Sequence, residues 1–218
     1  MIKSVWALAI FNILSFAMDL PTVRKLYAKD FSELGVEYSE QQVIDEAIDT
    51  SKILVADPRY ETGANSARFT TAIKNGHQAS LYLKYINDRV GYGTFADALI
   101  QEDDIVGEYT GKIIRQHIVF AMRPEETVYL MPLQACYADY YCLTSLYINA
   151  KQIGNFTRFI NHSDKPNVIS KQVYDGSMWH MILVASQNIL QDKQLFIDYG
   201  TGYWEARGIK PIDLQSNS

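Results

Sequence analysis

From residue 81 onward the apolar residues come in short runs, and this constrains the fold more than any other feature of the chain. Leu81, Leu83 and Tyr85 lie in such a run, and so do Ile105 to Tyr109, Tyr140 to Ile148, Met178 to Val184 and Leu195 to Ile197. Gly, Pro, Asn or Asp separate them, and no long helical stretch intervenes. Short strands bounded by turn residues predict a mostly-β domain. Fifteen tyrosines against three tryptophans agree with this, because tyrosine rings pack well on pleated sheets.

Before residue 81 the pattern is helical. Ser39-Glu40-Gln41-Gln42 has the S-x-x-Q form of a capping box. Val43, Ile44, Ala47 and Ile48 then form a stripe at helical spacing, so residues 39 to about 54 read as an amphipathic helix. Asp57-Pro58 and Thr62-Gly63 interrupt the chain beyond that helix. Residues 19–80 are therefore expected to be a helical N-terminal region packed on, or pairing, the next domain. That region could support a homodimer, although nothing in its pattern demands one. The first 18 residues leave two readings open. Lys3, the apolar stretch from Val5 to Met18 and Ser15-Phe16-Ala17 fit a cleaved export signal, or the stretch is a buried hydrophobic helix. It is too short for a stable membrane span.

At 218 residues, 48% of them hydrophobic, the chain can bury one substantial core. Its net charge is −5 and it has no long run of Lys or Arg, so direct nucleic-acid binding is not expected. An acidic surface suits a Lys/Arg-rich protein partner. Cys136 and Cys142 form a lone C-x5-C pair, which is no zinc framework.

Four segments carry the chemistry when they are read in order: VGYGTFA at 90–96, VGEYTG at 106–111, NFTRFINHSDKPN at 155–167 and LFIDYG at 195–200. With them the chain resembles the SET-domain protein lysine methyltransferases, whose landmarks are G-x-G, G-E-Y-x-G, R-F-I-N-H-S-C-x-P-N and a late D-Y-G. The resemblance covers about residues 81–204 and leaves 205–218 as a tail. The short length and the Gly-Tyr-Gly variant look most like the small stand-alone bacterial SET proteins, the chlamydial type among them. The implied fold is a set of small β-sheets around a pseudo-knot, preceded by the helical N-terminal region.

The implied cofactor is S-adenosylmethionine, contacted by Gly91, Tyr92 and Gly93 through backbone groups and clamped by Asn161 and His162. Arg158 matches the motif's arginine, read as a structural brace beside the cofactor. Tyr199 matches the catalytic tyrosine, and Tyr109 a second tyrosine lining the lysine channel. These residue types suit the reaction. The attacking amine must be neutral, and burial beside a cation lowers an amine pKa from about 10.4. Tyrosine hydroxyls and backbone carbonyls can then orient its lone pair.

Departures from the family pattern carry their own expectations. Asp164 stands where many relatives have a zinc-binding cysteine, and the tail has no cysteine, so no zinc is expected. Tyr203 and Trp204 are then candidates to close the pocket over the adenine, with core packing as the alternative. Asn149 replaces the aspartate of the family's I-D-A segment and keeps an acceptor there. Ile197, in the substrate channel, brings no hydroxyl to hold a water, which leans towards di- or trimethylation. The resemblance implies a histone or histone-like basic protein as substrate. The alternatives are a non-histone substrate, or a SET fold that binds peptide without transferring methyl groups. If the first residues are an export signal, the protein is expected to be a bacterial effector acting in a host cell; otherwise it is cytoplasmic.

Overall fold

The computed structural model describes residues 24–54, 64–139 and 142–210. The apolar segment at 1–18, the breaks at Asp57-Pro58 and Thr62-Gly63 and the tail from 211 on lie outside the described residues. A 3-10 turn at Ala28–Leu34 leads into β1 (Glu37–Tyr38) and β2 (Val43–Ile44). A second 3-10 turn at Thr50–Lys52 runs into β3 (Ile53–Leu54). Helix α1 (Ala64–Lys74) is followed by β4 (Leu81–Asn87), β5 (Gly91–Ala96), β6 (Ile105–Glu108) and β7 (Lys112–Arg115). After α2 (Gln116–Phe120) come β8 (Leu130–Asp139), β9 (Cys142–Asn149), β10 (Ile153–Gly154) and β11 (Asn161–His162). Strands β12 (Val168–Tyr174), β13 (Trp179–Ala185) and β14 (Phe196–Ile197) precede the short helix α3 (Thr201–Glu205). No helix among the described residues is long and apolar enough to cross a membrane.

The mostly-β expectation holds, and the strands form several small sheets. One has the order β2-β7-β9-β8-β3 and another β12-β13-β6; β4–β5, β1–β10 and β11–β14 are separate pairs. Local chemistry closes the hairpins. Between β4 and β5 the Asn87 side chain accepts from the backbone N–H groups of Arg89 and Val90 at 3.0 and 3.1 Å. Between β12 and β13 Asp175 does the same for Ser177 and Met178, at 2.7 and 2.8 Å. Cys136 and Cys142 lie on adjacent strands but are not register partners; they face Ser145 and Asp139.

Strand β13 is buried along its whole length, which is why Met178 to Val184 reads as a continuous apolar run. Its Trp179 and Met181 pack with Ile113, Leu146 and Ile148. Leu183 and Ala185 join Leu83, Val106 and Leu195. On the opposite face Ile182 and Val184 meet Phe69 and Ile73 of α1. Phe69 and Ile73 are one helical turn apart, so they share the inward face of α1. The turn after α1 places Gly76 at φ 58°, the left-handed position that glycine occupies at least cost.

The expected amphipathic helix at 39–54 does not form. Val43 and Ile44 pair in parallel with Lys112 and Ile113, and the Val43 N–H donates to the Gly111 carbonyl at 3.0 Å. Of the supposed helical stripe only Ile48 is buried. The Gln42 side chain is drawn away to Glu108 and to the Tyr109 carbonyl. Asp49 caps only the short turn at Thr50–Lys52, through its 3.1 Å bond from the Ser51 N–H. Adjacent β-branched residues complete the exposed edge of a sheet, and that tertiary pairing overrides the local pattern.

The segment before β1 is part of the core. Phe31 is 1% exposed, and its ring meets Tyr38, Phe156 and Phe159 edge-on at 5.0, 5.1 and 5.6 Å. Phe31→Ala should therefore destabilise the whole domain by about 3–5 kcal/mol. Urea unfolding followed by tryptophan fluorescence measures this. A loss below about 1 kcal/mol would mean that the segment is only loosely attached.

Candidate active site

Strands β11 and β14 pair in parallel, with Asn161 opposite Phe196 and His162 opposite Ile197. A two-residue parallel pair is weak by itself, and Asn167 reinforces it. Its side chain accepts from the Phe196 N–H at 2.7 Å and donates to the Gln194 carbonyl at 2.9 Å. The Asn167 N–H adds a 3.1 Å bond to the Phe196 carbonyl. The NHS and DYG segments, 37 residues apart at His162 and Tyr199, are thereby held side by side.

His162 is the hinge of this arrangement. Its Nδ1 accepts from the Tyr199 backbone N–H at 3.2 Å, so in the neutral ring the hydrogen lies on Nε2 and points to Asp164 Oδ1, also at 3.2 Å. Asp164, in the place of the family's cysteine, thus fixes the imidazole. Among the described residues no group of three or more His, Cys, Asp or Glu could hold a metal ion. Trp204 is buried and packs edge-on against His162 at 4.9 Å, while lying within 18° of parallel to Tyr199 at 5.9 Å. Core packing is therefore part of what Trp204 does.

The Gly-Tyr-Gly segment opens β5 and lies beside β11. Asn161 Nδ2 donates to the Tyr92 carbonyl at 3.2 Å. Gly93 sits close under two amide side chains: a Cβ there would come within 2.5 Å of Gln194 Nε2 and 3.0 Å of Asn161 Nδ2, so these ends would have to shift. Among the described residues, Gln194 Nε2 is buried without a hydrogen-bond partner, as is Trp204 Nε1. These two idle donors flank Asn161 and His162, so the segment has hydrogen-bonding capacity left for a polar ligand such as the implied cofactor.

A cavity of about 640 Å³ opens next to this crossing. Tyr109, Arg158, Ile197, Tyr199 and Tyr203 line it, whereas Gly91, Tyr92, Gly93, Asn161, His162 and Trp204 do not. The Tyr199 hydroxyl donates to the Ile160 carbonyl at 2.8 Å, and that of Tyr109 to the Tyr129 carbonyl at 3.0 Å. Burial is the largest influence on both phenols and holds their pKa values well above the ordinary tyrosine value. Arg158 braces the wall: Nε donates to the Ala150 carbonyl at 2.6 Å, and the guanidinium lies 3.9 Å over Tyr129 and 4.4 Å over Phe159. Burial lowers its pKa. Asn149, replacing an aspartate, keeps its acceptor and takes the Lys151 N–H at 3.0 Å.

Sequence reasoning missed three side chains here. Tyr129 lines the cavity and supports Arg158; its signal was the run Val128-Tyr129-Leu130-Met131, which leads into β8. Arg207 lies 3.7 Å over the Tyr203 ring and donates to Thr127 Oγ1 at 3.0 Å, tying the chain after α3 to the loop before β8. Gln194 has no local signal at all, since only the chain crossing brings it to Gly93.

The SET domain family matches residues 91–200, about half of the chain. The chain belongs to that family. It is 31% identical over 138 residues to N-lysine methyltransferase KMT5A-A of Danio rerio, covering 60% of this chain and 38% of the relative. Among solved structures, Chaetomium thermophilum Polycomb Repressive Complex 2 bound to S-adenosylmethionine is 26% identical, with a TM-score of 0.52 over 63% of this chain and 17% of that one. ATXR5 in complex with a histone shares the fold at a TM-score of 0.63 and 18% identity, covering 80% of this chain and 85% of that one. The chain spans between 2% and 40% of the length of the curated relatives compared.

Because burial keeps the Tyr199 phenol protonated, Tyr199→Phe should leave the tyrosinate absorbance that develops below pH about 11 unchanged. Loss of one tyrosine's amplitude in that range would show an exposed hydroxyl.

Proposed function

We propose that this protein is an S-adenosylmethionine-dependent protein-lysine N-methyltransferase. One observation carries the reading: on the cavity wall the Tyr199 and Tyr109 hydroxyls already donate their hydrogen bonds to backbone carbonyls. Each hydroxyl is left with lone pairs only, and its raised pKa excludes a phenolate base. Such a wall receives a ligand that brings its own N–H groups, as a lysine amine does. Tyr199 and Tyr109 orient that amine, and the apolar wall around Ile197, with the Arg158 cation beside it, disfavours the ammonium form. The backbone of Gly91, Tyr92 and Gly93 and the side chains of Asn161 and His162 hold the cofactor, with Tyr203 and Trp204 closing its site. The cofactor, when bound, supplies an electrophilic methyl group. Asn161→Ala should weaken cofactor binding by tenfold or more in calorimetry, the loss of about one charge-assisted hydrogen bond.

The substrate is a Lys-rich basic protein of the histone or histone-like kind, matching the net charge of −5. A relative 30% identical over 140 residues, EHMT1 of Homo sapiens, is named a histone-lysine N-methyltransferase, which points the same way. Ile197 leaves room and no hydroxyl beside the amine, so the products are di- and trimethyl-lysine. The reading includes no zinc, which Asp164 in the place of the family's cysteine supports. A bacterial origin and export into a host cell fit the Gly-Tyr-Gly variant and the apolar stretch at 5–18.

The test is transfer of labelled methyl from S-adenosylmethionine to a panel of basic proteins, run with and without a chelator. Intact protein should label at least one of them in both conditions, and Tyr199→Phe should lose about a hundredfold or more. Mass spectrometry of the product should show dimethyl- or trimethyl-lysine. Cofactor binding without transfer to any target would make the protein a peptide-binding module. Label confined to non-histone proteins would move the substrate, and monomethyl product alone would remove the role given to Ile197.

A further inference from the structure

A buried ionic cluster lies directly behind Tyr109, outside the cavity. His180, 7% exposed on β13, brings Nδ1 to 2.7 Å from Oε1 of Glu108, which is itself 6% exposed. Asp175 Oδ2 approaches the other ring nitrogen, Nε2, at 3.5 Å. Gln42 then joins this pair to the active site. Its Nε2 donates to Glu108 Oε1 at 2.9 Å and to the Tyr109 carbonyl at 2.7 Å. The Tyr109 N–H is bound to the Met181 carbonyl at 2.8 Å, next to His180 on β13. The Glu108 carbonyl accepts from Asn155 Nδ2 at 2.9 Å and Thr157 Oγ1 at 3.3 Å, respectively three residues and one residue before Arg158. Both sides of Tyr109 are therefore anchored, directly or through Gln42, to the strand and carboxylate that His180 serves.

We propose that His180 is a positioning residue for Tyr109, and that its protonation state sets how firmly Glu108 and Gln42 hold that wall of the cavity. The inference rests on the methyl-transfer reading of the cavity. Its physical basis is a count of protons. An imidazolium has two N–H groups and can serve Glu108 and Asp175 together. A neutral imidazole has one, so one ring nitrogen then turns a lone pair towards a carboxylate. Glu108 is too buried to be left without a cation at no cost. The other titratable groups nearby are Glu40 and His77, which line a small void beside Glu108. Neither replaces the imidazolium, because among the described hydrogen bonds the Glu108 carboxylate receives only from Gln42 and His180.

Opposing influences at His180 set the direction of the pH effect. Burial is the largest single influence and lowers its pKa, but the hydrogen bonds and charges of Glu108 and Asp175 together outweigh it, so the pKa is raised above 6.5. The pair is then at full strength below pH about 6.5 and weakens as pH rises through the folded-state pKa.

The experiment compares wild type, His180→Arg, which keeps a cation at all pH values, and His180→Asn, which never carries one. Methyl-transfer kcat is measured from pH about 6 to about 9, and dividing by the His180→Arg value cancels the shared rise from lysine deprotonation. The wild-type ratio should fall about fivefold or more across this interval while KM changes less than about twofold. His180→Asn should lie at the wild type's high-pH value throughout. Hydrogen exchange at the Tyr109 amide, corrected for its intrinsic pH dependence, should accelerate in wild type over the same interval. A flat ratio with flat exchange would overturn the proposal. If His180→Arg does not fold, wild type divided by His180→Asn replaces the ratio: convergence to one at high pH supports the proposal, and a constant value overturns it. Absence of transfer by wild type at every pH would instead defeat the functional reading, and the exchange measurement would then decide this inference alone.

Discussion

The parallel contact between Asn161–His162 and Phe196–Ile197 is the constraint on which the site depends. It places residues from two distant parts of the chain on one small platform. Asn161 is turned to the Gly-Tyr-Gly strand, His162 is held beneath Tyr199, and Ile197 faces the cavity. Two residue pairs do not make a stable sheet. The crossing persists because Asn167 satisfies backbone groups on the opposite strand and because Trp204 and Tyr199 cover the histidine ring. Between the two strands the chain leaves through the β12–β13 hairpin, whose second strand is buried at every residue. A site that needs two crossing segments is thus tied to a core strand that cannot move without disrupting all three apolar clusters.

Proton accounting organises the rest. On the cavity wall the hydroxyl hydrogens of Tyr199 and Tyr109 are committed to carbonyls, and the donors of the Arg158 guanidinium are partly committed in the same way. Hydroxyls arranged like this accept and do not donate, and burial keeps them from ionising. Behind the wall, Glu108 and His180 form the complementary device, in which charge is retained at depth because each group has a partner. Two layers of polar groups therefore surround Tyr109. One faces the ligand, and the other faces the core.

Much of the fold and half of the site could be read directly. The short apolar runs from residue 81 onward are strands, and the run from Met178 marks the strand covered on both faces. Tyr109, Arg158, Ile197, Tyr199 and Tyr203, all singled out from the sequence, line one cavity. What failed was local inference from a repeat of apolar residues. Val43, Ile44, Ala47 and Ile48 are spaced for a helix, yet Val43 and Ile44 find an open strand edge at Lys112–Ile113 and use it. Periodicity cannot see a partner about 70 residues away. The helix described before residue 81, α1, announces itself only by Phe69 and Ile73. Tyr129 and Gln194 escaped for the same reason, because each becomes part of the site only through contacts across the chain.

By itself the sequence determined the family, the β-rich class and the identity of the groups that could do chemistry, because motif residues and strand-length runs are local properties. Tertiary structure decided what those groups are able to do. It committed the hydroxyl protons of Tyr199 and Tyr109 to backbone carbonyls, and it set the Tyr199 N–H against His162. It also put an imidazole and a carboxylate behind Tyr109, where residues 42, 108 and 180 meet. None of this is encoded in spacing, since burial and hydrogen-bond partners arise only when strands far apart in the chain are brought together.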